Sequence, residues 1–238
     1  MELNKTNRLE KLQPSVPLGM VLVLLALVAV GTFAVSVALP AWLPQLSQSL
    51  LGDAPKAYWY LSRASAFAAY GLLWLSMMFG LLITNKLARM WPGGPTAFDL
   101  HQYTSLLGLG FIVFHVLILL GDHYINYTLT QLLIPFGSEN FQTLWVGVGQ
   151  IGFYLLALVS FTFYIRHLIT QRGFRVIHFL SFAAFAMALV HGLWSGTDAS
   201  SVWASGLYWV SAASVVFLTV YRIFSKWVEK PAVAARAG

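Results

Sequence analysis

Six long apolar stretches constrain this chain more than any other feature. Leu18 to Leu39 is 22 residues without a charge, long enough to cross roughly 30 Å of hydrocarbon. Five further stretches follow, near Tyr58–Thr84, Leu100–Gly121, Leu144–Ile165, Val176–Trp194 and Val202–Phe224. With 58% hydrophobic and only 9% charged residues, the chain falls in the membrane class. The expected fold is an all-α integral membrane protein, a six-transmembrane-helix bundle spanning residues 18–224. Residues 1–17 and 225–238 form short flanking segments.

Basic residues orient such a bundle, because Lys and Arg are retained on the cytoplasmic side. Lys5, Arg8 and Lys11 precede the first stretch, and Lys86 and Arg89 follow the second. Arg166, Arg172 and Arg175 join the fourth to the fifth, while Arg222, Lys226, Lys230 and Arg236 close the chain. Those are 12 of the 14 basic residues, so both termini are expected in the cytoplasm and the protein in an inner or plasma membrane, multi-pass. The opposite loops hold Lys56, Asp53, Asp122, Glu139 and Asp198. The net charge of +6 is thus a topology signal, and nucleic acid is not an expected partner. Ser36-Val37-Ala38 resembles a signal-peptide cleavage site, but the preceding apolar run exceeds the usual core of about 7–15 residues. A retained first helix is expected. No cysteine is present, which excludes disulfides, thiolate-held clusters and covalently attached haem.

Four of the six histidines lie within these apolar stretches in two pairs, His101 with His115 and His178 with His191. Ionisable residues in a membrane span are costly and mark function by default. Fourteen residues separate the first pair, about 21 Å of helix rise and about 40° short of whole turns. Both imidazoles can therefore face one side, with Gly108 midway between them, where a glycine admits a planar ligand near the backbone. Thirteen residues separate the second pair, which leaves about 140° between them on a straight helix. A local irregularity in the fifth span is expected, the alternative being approach from two different edges of the helix. Spans three and five run in the same direction, so His101 belongs with His178 at the inner level and His115 with His191 at the outer. Two bis-histidine b haems stacked along the membrane normal satisfy this pattern. Arg63 and Arg175 are placed to neutralise their propionates, the alternatives being that Arg63 snorkels to the outer surface and that Arg175 is only a positive-inside residue. His123 and His167 sit at span ends, with no ligand role expected.

These residues resemble the ferric reductase-like transmembrane domains shared by ferric reductases and NADPH oxidases. The likeness covers spans two to six and rests on four features. They are Arg63-Ala64-Ser65-Ala66, the 14-residue histidine pair, Arg175-Val176-Ile177-His178, and His191 followed by Gly192. It implies a six-helix bundle carrying two haems, with electrons entering from a cytoplasmic flavin reductase or quinol donor. They would leave to an external acceptor, ferric iron or a redox protein. Family members fuse a flavin- and nicotinamide-binding domain after span six, whereas this sequence stops there, so a separate reductase partner is implied. Leu119 stands where the oxidases place a further histidine, which disfavours superoxide production. The haem-binding membrane subunit of a periplasmic methionine sulfoxide reductase offers a single-domain analogy, although its pattern lacks a counterpart of His101.

Three other patterns carry less weight. Gly147-Val148-Gly149-Gln150-Ile151-Gly152 matches a dinucleotide fingerprint but falls within span four, where glycines serve helix packing. Ser195, near His191 and Asp198, evokes an intramembrane protease, yet span six supplies no histidine base. The remaining alternative is a histidine-based proton or solute transporter without haem. The outer aromatic residues Trp42, Tyr58, Trp59, Tyr60, Tyr124, Tyr127, Trp145, Trp194 and Trp203 read as interface anchors. The loop from Asp122 to Thr143 is expected to cap the outer end of the bundle.

Overall fold

The computed structural model describes residues 13–51, 57–139 and 141–234. Lys5, Arg8, Lys11, Asp53, Lys56 and Arg236 lie outside the described residues. Among the described residues the chain is helical and has no strand. Six helices are long and apolar enough to cross a membrane. They are α1 Leu18–Phe33, α2 Ala57–Thr84, α3 Gly94–Ile118, α4 Thr143–Thr162, α5 Gln171–Ser195 and α6 Val202–Ala234. The first span continues from α1 through a π-helical turn, Ala34–Ala38, to Trp42. Val30, Trp209 and Phe217 are each about two-thirds exposed on helix exteriors. Lipid covers such side chains without cost, whereas water would make them an aggregation hazard.

Two helices begin earlier than hydropathy alone indicates, because capping rather than apolarity sets a helix start. α3 starts at Gly94, with Pro95 in its first turn, where proline sacrifices no helical hydrogen bond. α5 starts at Gln171, capped by the Thr170 hydroxyl, which accepts from Gly173 N–H at 3.1 Å. α5 then runs unbroken to Ser195. The irregularity expected between His178 and His191 is absent, and the two imidazoles leave a regular helix from different edges.

Packing divides the bundle into two tight pairs, α2 with α3 and α4 with α5, with α1 against α3 and α6 against α2. The core between them is built from Tyr70, Leu73, Leu109, Leu156, Ala184 and Phe185. The glycine run in α4 is explained by close approach. A Cβ on Gly147 would fall 2.1 Å from the Phe136 ring, and one on Gly152 would lie 3.1 Å from Met187 Cβ. The fingerprint-like spacing is thus a packing surface.

Beyond α3 the chain folds back over the bundle. A short helix, Leu129–Leu133, opens with a reciprocal Thr128–Gln131 capping box. The Gln150 side chain, buried in α4, holds this segment down. Its amide donates to the carbonyls of Gln131 and Leu132 at 2.8 and 2.9 Å, and its oxygen accepts from Phe136 N–H at 3.2 Å. Tyr154 O–H donates to the Leu133 carbonyl beside it. The expected cap is therefore a tethered structure. Gln150→Leu strands three backbone groups, and the expected cost is about 1–3 kcal/mol. Limited proteolysis checks it, with faster cleavage between residues 122 and 142 and unchanged cleavage between α4 and α5.

Candidate functional site

The antiparallel pairing of α2 and α3 sets two histidines by the same device. His115 Nδ1–H donates to the Ser62 carbonyl at 2.8 Å, and the Ser62 hydroxyl lies 2.8 Å from the same nitrogen and donates to the His115 carbonyl at 3.0 Å. His101 Nδ1–H donates to the Ser76 carbonyl, again at 2.8 Å, with the Ser76 hydroxyl 3.0 Å from that nitrogen. Ser62 and Ser76 are 14 residues apart, as are His101 and His115. One helix register therefore makes both clamps. On the other side, His191 Nδ1–H donates to the Trp145 carbonyl of α4 at 2.9 Å. His178 is held differently, its ring stacked on Phe174 one turn earlier in α5.

With Nδ1 committed as a donor, each clamped imidazole presents Nε2 as a lone-pair donor, the tautomer a metal ligand needs. The rings then meet across the gap between the helix pairs. His101 and His178 have ring centres 6.0 Å apart, and His115 and His191 6.3 Å apart, with ring planes crossing at 74° and 73°. A metal ion between two imidazoles, at about 2 Å per bond with each nitrogen about 1 Å from its ring centre, sets the centres about 6 Å apart. Among the described residues there is no group of three or more His, Asp or Glu side chains able to hold a metal ion. Two opposed imidazoles could hold the metal of a planar group that brings its own remaining donors. A haem is such a group.

Each pair borders a cavity. The one at the His115–His191 end, labelled outer after the orientation expected from the basic residues, is about 200 Å³ and is lined by these histidines with Ser62, Phe67, Ile112 and Ala188. The inner one, about 80 Å³, is lined by His101 and His178 with Phe98, Ser105, Val159 and Phe163. Leu73 and Leu156 belong to both walls and separate the two spaces. The segment before α1 closes over the inner one. Ser15 N–H donates to the Gln102 side chain at 2.7 Å and the Tyr164 hydroxyl donates to the Val16 carbonyl at 3.0 Å, with Gln102 and Tyr164 both on the inner wall.

Arg63 lines the outer cavity but is ion-paired through Nη2 to Asp198, so a carboxylate just past α5 supplies the anion that the spans lack. Arg175 is exposed, donates to the Gln171 carbonyl of its own helix at 3.3 Å, and lines neither cavity. Gly108 also lines neither. A Cβ there would lie 3.5 Å from Leu72 Cβ, so its small size serves contact with α2. Trp59 and Tyr127, read as interface anchors, are part of the outer cavity wall. His123 and His167 are exposed.

Sequence reasoning missed Ser62, Ser76, Trp145 and Gly149. The matching 14-residue spacing of the two serines was a usable signal. Trp145 acts through its backbone and leaves no trace in residue type. Gly149 is the glycine that admits the His191 ring, since a Cβ there would fall 2.6 Å from His191 Nδ1.

Residues 57–198 match the family described as a domain of unknown function, DUF8596, and the chain belongs to that family. The matched region runs from the start of α2 to Asp198, and so holds all four histidines and both cavity-forming helix pairs. No curated protein and no solved structure matches the chain.

The Gly149→Ala methyl must displace the His191 ring. The expected cost is about 1–3 kcal/mol, whereas Gly110→Ala, with open space at its Cβ, is expected to cost nothing. Thermal unfolding of both variants in detergent checks the contrast.

Proposed function

We propose that this protein binds two b-type haems and conducts electrons across a membrane, from a cytoplasmic donor to an external acceptor. The observation that carries the reading is the pair of facing imidazole sets, with ring centres 6.0 and 6.3 Å apart. Three of the four rings have Nδ1 turned to a backbone carbonyl. His101 and His178 hold the inner group, and His115 and His191 the outer. Held by these four histidines, the haems would supply one-electron redox chemistry.

The rest of the chain positions and insulates. Leu73 and Leu156 separate the two sites with apolar side chains, and Phe67, Ile112 and Ala188 keep the outer space largely dry. Arg63, already bonded to Asp198, sets a charged pair at the outer cavity wall. On this reading the likeness to ferric reductase-like domains extends to function. Ferric iron or an external redox protein is the acceptor, and a separate flavin reductase or quinol is the donor. The protein is then the membrane component of an oxidoreductase in an inner or plasma membrane, with both termini cytoplasmic. The basic-residue bias supports that orientation.

Two tests follow. His115→Ala or His191→Ala is expected to remove the outer haem, halving haem per chain while sparing the inner one. His101→Ala is expected to do the reverse. Unchanged spectra in all three variants would contradict the pairing and favour transport by histidines without haem. Because the chain has no cysteine, single cysteines report orientation directly. On intact cells, an impermeant maleimide is expected to label Thr130→Cys, and to label Arg172→Cys only after permeabilisation.

A further inference from the structure

The two histidine pairs are not equivalent, and the difference lies in one residue. In the outer pair both rings are anchored, His115 to the Ser62 carbonyl and His191 to the Trp145 carbonyl. In the inner pair His101 is anchored to the Ser76 carbonyl. Among the described residues His178 has no hydrogen-bond partner, and its support is the face of Phe174, 5.5 Å away and 20° from parallel. Phe174 belongs to the same helix, so this stacking does not tie the ring to a neighbouring element.

The regularity of α5 gives the physical reason. Thirteen residues on an unbroken α-helix leave about 140° between His178 and His191. One rotation of the helix therefore cannot present both side chains alike. Against α4 the rotation favours His191, whose ring packs so closely that Nδ1 would lie 2.6 Å from a Cβ on Gly149. His178 reaches its partner from another edge and meets no carbonyl. Ser105, Ser160 and Ser181, with Gln102 and Tyr164, contribute a few polar groups to an inner cavity whose wall is otherwise apolar, a space suited to a small neutral ligand.

We propose that His178 is a displaceable ligand, making the inner site a binding site for small neutral ligands of the carbon monoxide class once it is reduced. This rests on the two-haem reading above. A hydrogen bond from the far ring nitrogen orients an imidazole and raises its basicity, and losing such a partner typically costs about 10- to 100-fold in metal affinity. Carbon monoxide is therefore expected to replace His178 at a concentration about 10- to 100-fold below that needed at the outer site. His101, clamped by Ser76, keeps the group in place throughout.

The test is a carbon monoxide titration of the purified, dithionite-reduced full-length protein, followed by absorbance. One of two haems is expected to respond first, and the response is expected to persist in His115→Ala, which lacks the outer haem. In a parallel measurement, His178→Ala is expected to retain two haems per chain, one of them high-spin by electron paramagnetic resonance, where His101→Ala retains one. Carbon monoxide binding at neither haem, or at both over the same concentration range, would overturn the proposal. So would loss of the inner haem from His178→Ala. A wild-type protein with no haem at all would instead remove the two-haem reading itself, and this inference with it.

Discussion

The antiparallel register of α2 on α3 is the constraint on which the rest of the site depends. It places Ser62 opposite His115 and Ser76 opposite His101, so a single sliding position of two helices satisfies four polar side chains. In hydrocarbon an unpaired polar group costs several kcal/mol, so a register that leaves these groups unpaired is strongly disfavoured. The same register fixes each imidazole's tautomer and aims Nε2 away from α2. Stability and chemistry are thus set by one set of hydrogen bonds.

The second helix pair completes the sites by proximity. α4 contributes small residues and a carbonyl, and α5 contributes the opposing rings. Because the pairs 101–178 and 115–191 advance together along both helices, α3 and α5 run parallel, and the two sites lie about 20 Å apart along the helix axes. Leu73 and Leu156 stand between them. At the outer end, the tethered loop and the Arg63–Asp198 pair bring polar and aromatic groups to a cavity that is otherwise apolar.

Much of this was legible in the sequence, for identifiable reasons. Six apolar runs are explicit, and histidines within them stand out because membrane spans tolerate few ionisable groups. Their spacing gave the pairing of levels. The glycines of α4 were readable as packing residues once they fell inside a span. Less legible was whatever depends on the neighbouring helix or on backbone atoms. The Trp145 carbonyl has no sequence signature, and Asp198 becomes the partner of Arg63 only when the turn after α5 folds back. Gly108 faces α2 because rotation of α3 is decided by the serine clamps, which no periodicity of α3 itself reveals. Arg175 lies on the exposed side of α5 for a similar reason, since that helix is rotated by its contact with α4.

Haem content is the central claim, and optical spectroscopy tests it most directly. Detergent-purified protein is recorded oxidised and dithionite-reduced, with a pyridine haemochrome assay for haem per chain. Two low-spin b-type haems per chain is the predicted result. No haem after expression with ample haem supply would contradict the account and return the four histidines to a structural or transport role.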